Sequence, residues 1–199
     1  MPSQPGGARV VPVLLMAVLS LTACAGASAP KTPAIAGIQV FKPDPRDRHT
    51  TKRVTYLQTP PAGGPHWPAK DRDVLGWLRC GVYTEPVPNE FAVHSQEHGA
   101  VWLTYLPSAT PAQVTAFAAL AALSRDYVIV SPYLGQPAGF TASTWGVQLT
   151  VPDPADPRLT SFVKTYAAGG QGGEKGADCA HGSLPADERA ALDAANRSP

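Results

Sequence analysis

The chain carries five histidines, and two of them lie in one short block, His94-Ser95-Gln96-Glu97-His98-Gly99. A spacing of four puts both imidazoles on one face of a helix, and on a strand period two aligns them as well. Two imidazoles on one face suit a metal ion. A third can come from the Gly64-Pro65-His66 turn, where the proline-glycine loop fixes the backbone before the ring and lowers the entropy lost on ligation. Glu97 can ligate as well, or orient a ligating histidine through a hydrogen bond. The competing reading gives these histidines a structural role, holding loops by hydrogen bonds or titrating as a patch.

The donor set favours Zn²⁺ or Cu²⁺ over Cu⁺. Both methionines, Met1 and Met16, fall in a removable N-terminal segment, so no thioether ligand remains. A three-histidine site with an open position can also activate water, so a metal-dependent hydrolase stays among the readings. His94 to His98 fits H-x-x-E-H, a zinc-protease pattern that places the pair on a long helix with glutamate as general base. Here Pro86 and Pro88 lie upstream, and Gly99 with a strand-like run follows at once. Only a turn or two of helix fits. No nucleophile elbow is present, and Ser95 beside His94 makes no dyad, because adjacent residues do not face each other.

The elements that position these residues are legible from residue 99 onward. Ala100 to Leu106 is β-branched and aromatic and reads as a buried strand. Thr110, Pro111 and Gln113 then form a helix start, with an N-cap, a proline at the first position and a capping-box partner. Val114, Phe117, Ala118 and Ala121 follow at helical spacing, to an end near Ser124. Tyr127 to Val130 is a second strand and Phe140 to Val151 a third. Asp156-Pro157 starts another helix, with Leu159, Phe162, Val163 and Tyr166 on one face. A glycine-rich stretch from Ala167 to Gly176 carries Glu174. Upstream, residues 54–92 are dense in turn formers, with one short edge strand within Gly81 to Pro88. The order predicts an α+β fold: a small antiparallel or mixed sheet, two main helices packed on one face, and a Pro/Gly-rich loop region before it. No glycine-rich phosphate loop follows a strand.

The N-terminus reads as an export signal. Arg9 supplies a charge, Val10 to Leu21 is apolar apart from Pro12 and Ser20, and Leu21-Thr22-Ala23-Cys24 puts small residues before a cysteine. The run is shorter than the roughly 20 residues a spanning helix needs. Leu21-Thr22-Ala23-Cys24 resembles the bacterial lipobox, which implies cleavage before Cys24 and acylation of it. An ordinary signal cut near Ala23 to Ala25 is the alternative. The expected organisation is a signal peptide over 1–23, a lipidated flexible tether over 24–48, a single globular domain over 49–182, and a short polar helix or tail over 183–199. Without Arg9, the 16 Lys and Arg become 15, equal to the 15 Asp and Glu. That balance gives no footprint for nucleic acid and no basic patch for an anionic membrane surface, so the lipid is the expected membrane attachment.

With Cys24 lipidated, Cys80 and Cys179 remain, an even pair in an oxidising extracytoplasmic compartment, which favours a disulfide. A pair of metal-ligating thiolates is the rival, though neither cysteine sits in a C-x-x-C pair.

An ordered series of motifs runs through the domain. It comprises Tyr56 to His66, Cys80-Gly81-Val82-Tyr83-Thr84-Glu85-Pro86-Val87, Val93 to Val101, Val130-Ser131-Pro132-Tyr133, Ala142-Ser143-Thr144-Trp145-Gly146 and the closing Cys179. Together they resemble the bacterial domain-of-unknown-function family 3105 (DUF3105), over roughly residues 48 to 180. The chain departs from the family pattern at Gln96, where leucine is usual, and at Gly172-Gly173, where proline is common before the glutamate. The resemblance implies a pairing of Cys80 with Cys179 and draws attention to His49, His66, His94 and His98. It supplies no activity.

Three functional readings follow. The first is a metal-binding lipoprotein whose ligands are His66, His94 and His98, with Glu97 close by and His49 as a fourth ligand. The second is an envelope module that binds a protein or small ligand and uses its histidines structurally. The third is a metal-dependent hydrolase. The balance favours binding over catalysis, and the residues identify no protein partner.

Overall fold

The computed structural model describes residues 1, 34–42, 49–68, 76–174 and 176–183. The rest of the expected signal segment, Cys24, residues 25–33 and 43–48 of the expected tether and residues 184–199 of the expected C-terminal helix or tail lie outside the described residues.

The sheet is built around β3 (Val101–Tyr105), whose five residues are all buried. It pairs in parallel with β4 (Val128–Pro132), Val101 opposite Val128, and antiparallel with β5 (Phe140–Thr144), Tyr105 opposite Phe140. A dozen or more residues must separate parallel neighbours, and α2 (Pro111–Ala118) with a 3₁₀ turn at Ala119–Leu123 fills that crossover. β5 and β6 (Val147–Val151) form a hairpin. The single strand expected over 140–151 is therefore two, because the chain reverses at Trp145-Gly146. Two-residue strands close the edges: β1 (Gln39–Val40) runs antiparallel to β6, and β2 (Gly81–Val82) runs parallel to β4. The order β1-β6-β5-β3-β4-β2 makes one mixed sheet, and the fold is α+β.

One boundary moves. Residues 34–42 fall inside the expected tether, yet they supply β1, and Ile35 and Ile38 pack against the core. The open edge of β6 gives this stretch a ladder partner, and the two isoleucines give it apolar surface to bury.

The two faces of the sheet differ. One carries Val101, Leu103, Val130, Ala142 and Leu149, and Phe117 of α2 and Leu159, Phe162 and Val163 of α3 (Pro157–Tyr166) pack on it. Each valine, leucine and phenylalanine among these contributes about 1.5–3 kcal/mol on burial. Both helix starts are capped as their sequences require. Thr110 and Gln113 form a capping box, and the Asp156 carboxylate accepts from the Arg158 N–H. Strand alternation turns Trp102, Ile129, Thr141, Ser143 and Gln148 to the other face. There a third helix, α1 (Asn89–Glu97), packs Phe91 and Ala92 into a cluster with Trp67, Leu78, Trp102 and Ile129. At nine residues α1 has two and a half turns, slightly more than the flanking prolines and Gly99 suggest.

Candidate metal centre

Three pieces of chain converge at the outer side of α1: the proline-glycine loop before His66, the helix itself and the glycine-rich stretch after α3. The loop is held to the helix by Gln96, which is fully buried. Its side-chain oxygen accepts from the Gly63 N–H at 2.8 Å, and its amide donates to the Pro61 carbonyl at 3.1 Å. Gln148 donates to the Pro60 carbonyl at 2.9 Å, and the Tyr56 hydroxyl donates to the Pro65 carbonyl at 2.7 Å. Gly64 takes φ +124°, a conformation that L side chains rarely adopt. The segment containing His49 runs beside the loop, and the Thr50 N–H donates to the His66 carbonyl at 2.7 Å.

These supports bring four rings together. Centroid separations are 4.9 Å for His49 and His66, 4.8 Å for His66 and His94, 5.4 Å for His49 and His94, and 4.7 Å for His94 and His98. The last value reflects the i, i+4 spacing on α1. Trp145 stands edge-on to His66, and Trp77 lies against His98.

The buried histidines share one hydrogen-bonding arrangement. His66 Nδ1 meets the Gly64 carbonyl at 2.9 Å, His94 Nδ1 the Trp67 carbonyl at 2.7 Å, and His98 Nδ1 the Asp178 carbonyl at 3.0 Å. A carbonyl only accepts, so each Nδ1 carries the proton and each Nε2 is left to bind something else. This is the orientation that outer hydrogen bonds impose on metal-ligating histidines. His66 Nε2 lies 2.9 Å from a Glu97 carboxylate oxygen, and His49 Nε2 lies 3.9 Å from the same oxygen. His98 Nε2 lies 2.9 Å from Glu174. A lone pair and a carboxylate at that distance repel unless a cation, either a proton or a metal ion, stands between them.

Burial pushes the His94 imidazole down to about 3, with His66 and His98 adding to the effect. The ring is therefore neutral near pH 7, the form that ligates. Glu97 is held below the usual carboxylate range, first by its contact with His66 Nε2, a hydrogen bond in the form where a proton stands between the two.

His49, His66, His94 and Glu97 form one group with donor atoms within 4.8 Å of one another, and His94, His98 and Glu174 form a second. His98, expected to share a point with His66 and His94, thus stands in the second group, paired with Glu174. The cause is geometric: His66 and His98 approach His94 from different elements, and Asp178 holds the His98 ring. Glu174 was legible only as an acid in a glycine-rich stretch. No spacing rule ties it to a histidine 76 positions earlier. The fifth histidine, His181, is exposed and pairs with Asp178 at 3.3 Å, outside both groups.

Cys80 and Cys179 form a disulfide, with Cα atoms 5.0 Å apart. It excludes the thiolate reading of these cysteines and fixes the segment whose Asp178 carbonyl holds His98.

The family model for DUF3105, proteins of unknown function, matches residues 48–181, which span the loop, both histidine groups and the disulfide. No curated protein and no solved structure matches the chain. The matched segment is most of the chain, and the protein therefore belongs to the DUF3105 family.

Proposed function

We propose that this chain is an extracytoplasmic lipoprotein, anchored through Cys24, whose domain binds a transition metal ion, Zn²⁺ or Cu²⁺, at the histidine cluster. The observation that carries the reading is the shared orientation of His66, His94 and His98. Each spends Nδ1 on a backbone carbonyl and keeps Nε2 for the centre. Such a constellation costs burial of three imidazoles, with nothing gained in packing that an apolar side chain would not give. The donors are imidazole and carboxylate, which suit Zn²⁺ and Cu²⁺.

Holding an ion fits the donors better than hydrolysis does. His49, His66, His94 and Glu97 are enough to fill a tetrahedral shell, whereas a catalytic zinc site keeps a position open for water. The test is elemental analysis of the exported domain purified without chelator. Zinc or copper near one equivalent supports the reading. Metal absent from the purified protein, and not taken up on addition of either ion, overturns it.

A further inference from the structure

We propose that the centre holds one ion in two mutually exclusive positions that share His94, and passes it between them. This rests on the metal-binding reading above. The inner position is His49, His66, His94 and Glu97, and the outer is His94, His98 and Glu174. His94 belongs to both, but it has one nitrogen to offer. Its Nδ1 is taken by the Trp67 carbonyl at 2.7 Å, so it cannot bridge two ions through opposite ring nitrogens. Nε2 carries a single lone pair and binds one ion at a time. Filling one position therefore empties the other.

His66 and His98 each lie beside His94, with ring centroids 4.8 Å and 4.7 Å away, but they belong to different donor groups. His94 is buried, while each group has one member that reaches solvent: His49 is 46 % exposed and Glu174 is 49 % exposed. A cage built only to retain an ion needs no second donor pair beyond a shared ligand and no solvent-reaching donor in each group. The transfer is ligand exchange without redox. The bond from His94 to the ion is kept while bonds to His49, His66 and Glu97 break and bonds to His98 and Glu174 form. The cargo class is a divalent transition-metal ion, received in one group and surrendered to a chelating donor from the other.

Native mass spectrometry and Co²⁺ titration of the full chain test this. The wild type should take one Co²⁺ per chain. His66→Ala and His98→Ala should each still take one ion, with affinity lowered about tenfold or more and with visible absorption spectra that differ from each other. His94→Ala should lose both positions. Because a buried histidine variant can fail to fold, Glu97→Gln and Glu174→Gln give the same comparison: each should shift the Co²⁺ spectrum, in opposite senses. Two ions on one wild-type chain, complete loss of binding in a folded His98→Ala protein, or unshifted spectra in both glutamine variants would overturn the shared-ligand proposal and leave metal binding standing. Failure of the wild type to bind Co²⁺, Zn²⁺ or Cu²⁺ would overturn metal binding itself.

Discussion

His94 Nδ1–H donates to the Trp67 carbonyl oxygen at 2.7 Å. The ring comes from α1 and the carbonyl from the end of the proline-glycine loop, so one bond sets both the tautomer of the imidazole and the seating of the loop on the helix. Trp67 supports it from behind, its ring packed against Phe91 of the same helix with centroids 5.4 Å apart. The centre therefore depends on how well the loop is clamped.

The clamp can be removed at Gln96. Gln96→Ala leaves the Gly63 N–H and the Pro61 carbonyl without the partners they now have. An unsatisfied buried group costs about 1–3 kcal/mol, so with two such groups a loss of about 2–6 kcal/mol is expected. Urea unfolding should show a lower midpoint with an unchanged slope. A variant as stable as the wild type would mean that the loop is held without Gln96.

Gly172 tests the far side of the centre. A Cβ there would overlap the Glu97 backbone carbonyl, so the glycine-rich stretch can lie on the end of α1 only without a side chain at this position. Gly172→Ala should cost about 1–3 kcal/mol, as overpacking does, and should pull Glu174 away from His98. Thermal unfolding reads the first effect and Zn²⁺ affinity the second. Unchanged values for both would show that the stretch shifts freely.

The central strands β3 and β4 were legible in the sequence because they are short runs of β-branched and aromatic residues, whereas β1 was read as tether and β5 and β6 as one strand. The starts of α2 and α3 were legible from Thr110-Pro111 and Asp156-Pro157. The extent of α1 was harder to read. Every residue from Glu90 to Gln96 is buried, so the helix shows no apolar stripe. Its polar side chains are satisfied instead by distant backbone: Ser95 by Leu78, Gln96 by Pro61 and Gly63, His94 by Trp67. Periodicity cannot register a helix that faces protein on all sides. The spacing of His94 and His98 foretold their adjacency. The split of the histidines into two groups was not foretold, since it depends on Asp178 and Glu174, which reach the centre only through the fold.

The disulfide couples to the centre through a neighbour. Cys80 and Cys179 are 99 residues apart, and a loop of that size gives about 4.7 kcal/mol in the chain-entropy account. The double variant Cys80→Ser/Cys179→Ser should lose several kcal/mol of stability. It should also bind Zn²⁺ more weakly, because the Asp178 carbonyl that orients His98 is adjacent to Cys179. Calorimetric melting and Zn²⁺ titration check the two effects. An unaltered Zn²⁺ affinity in the folded variant would separate the disulfide from the site.

Membrane attachment should depend on one atom, the Cys24 sulfur. Cys24→Ser should move the protein from the membrane fraction to the soluble extracytoplasmic fraction. Retention of the variant on membranes through salt and carbonate washes would place the anchor elsewhere.

Metal binding itself is most directly measured by calorimetric titration of the chelated protein with Zn²⁺ and with Cu²⁺, the wild type beside the double variant His94→Ala/His98→Ala. The account predicts one equivalent bound by the wild type and a loss of binding of at least about a hundredfold in the variant, since His94 serves both groups. Equal weak binding by the two proteins, with both folded, would contradict it and leave the histidines as structural supports of the loop.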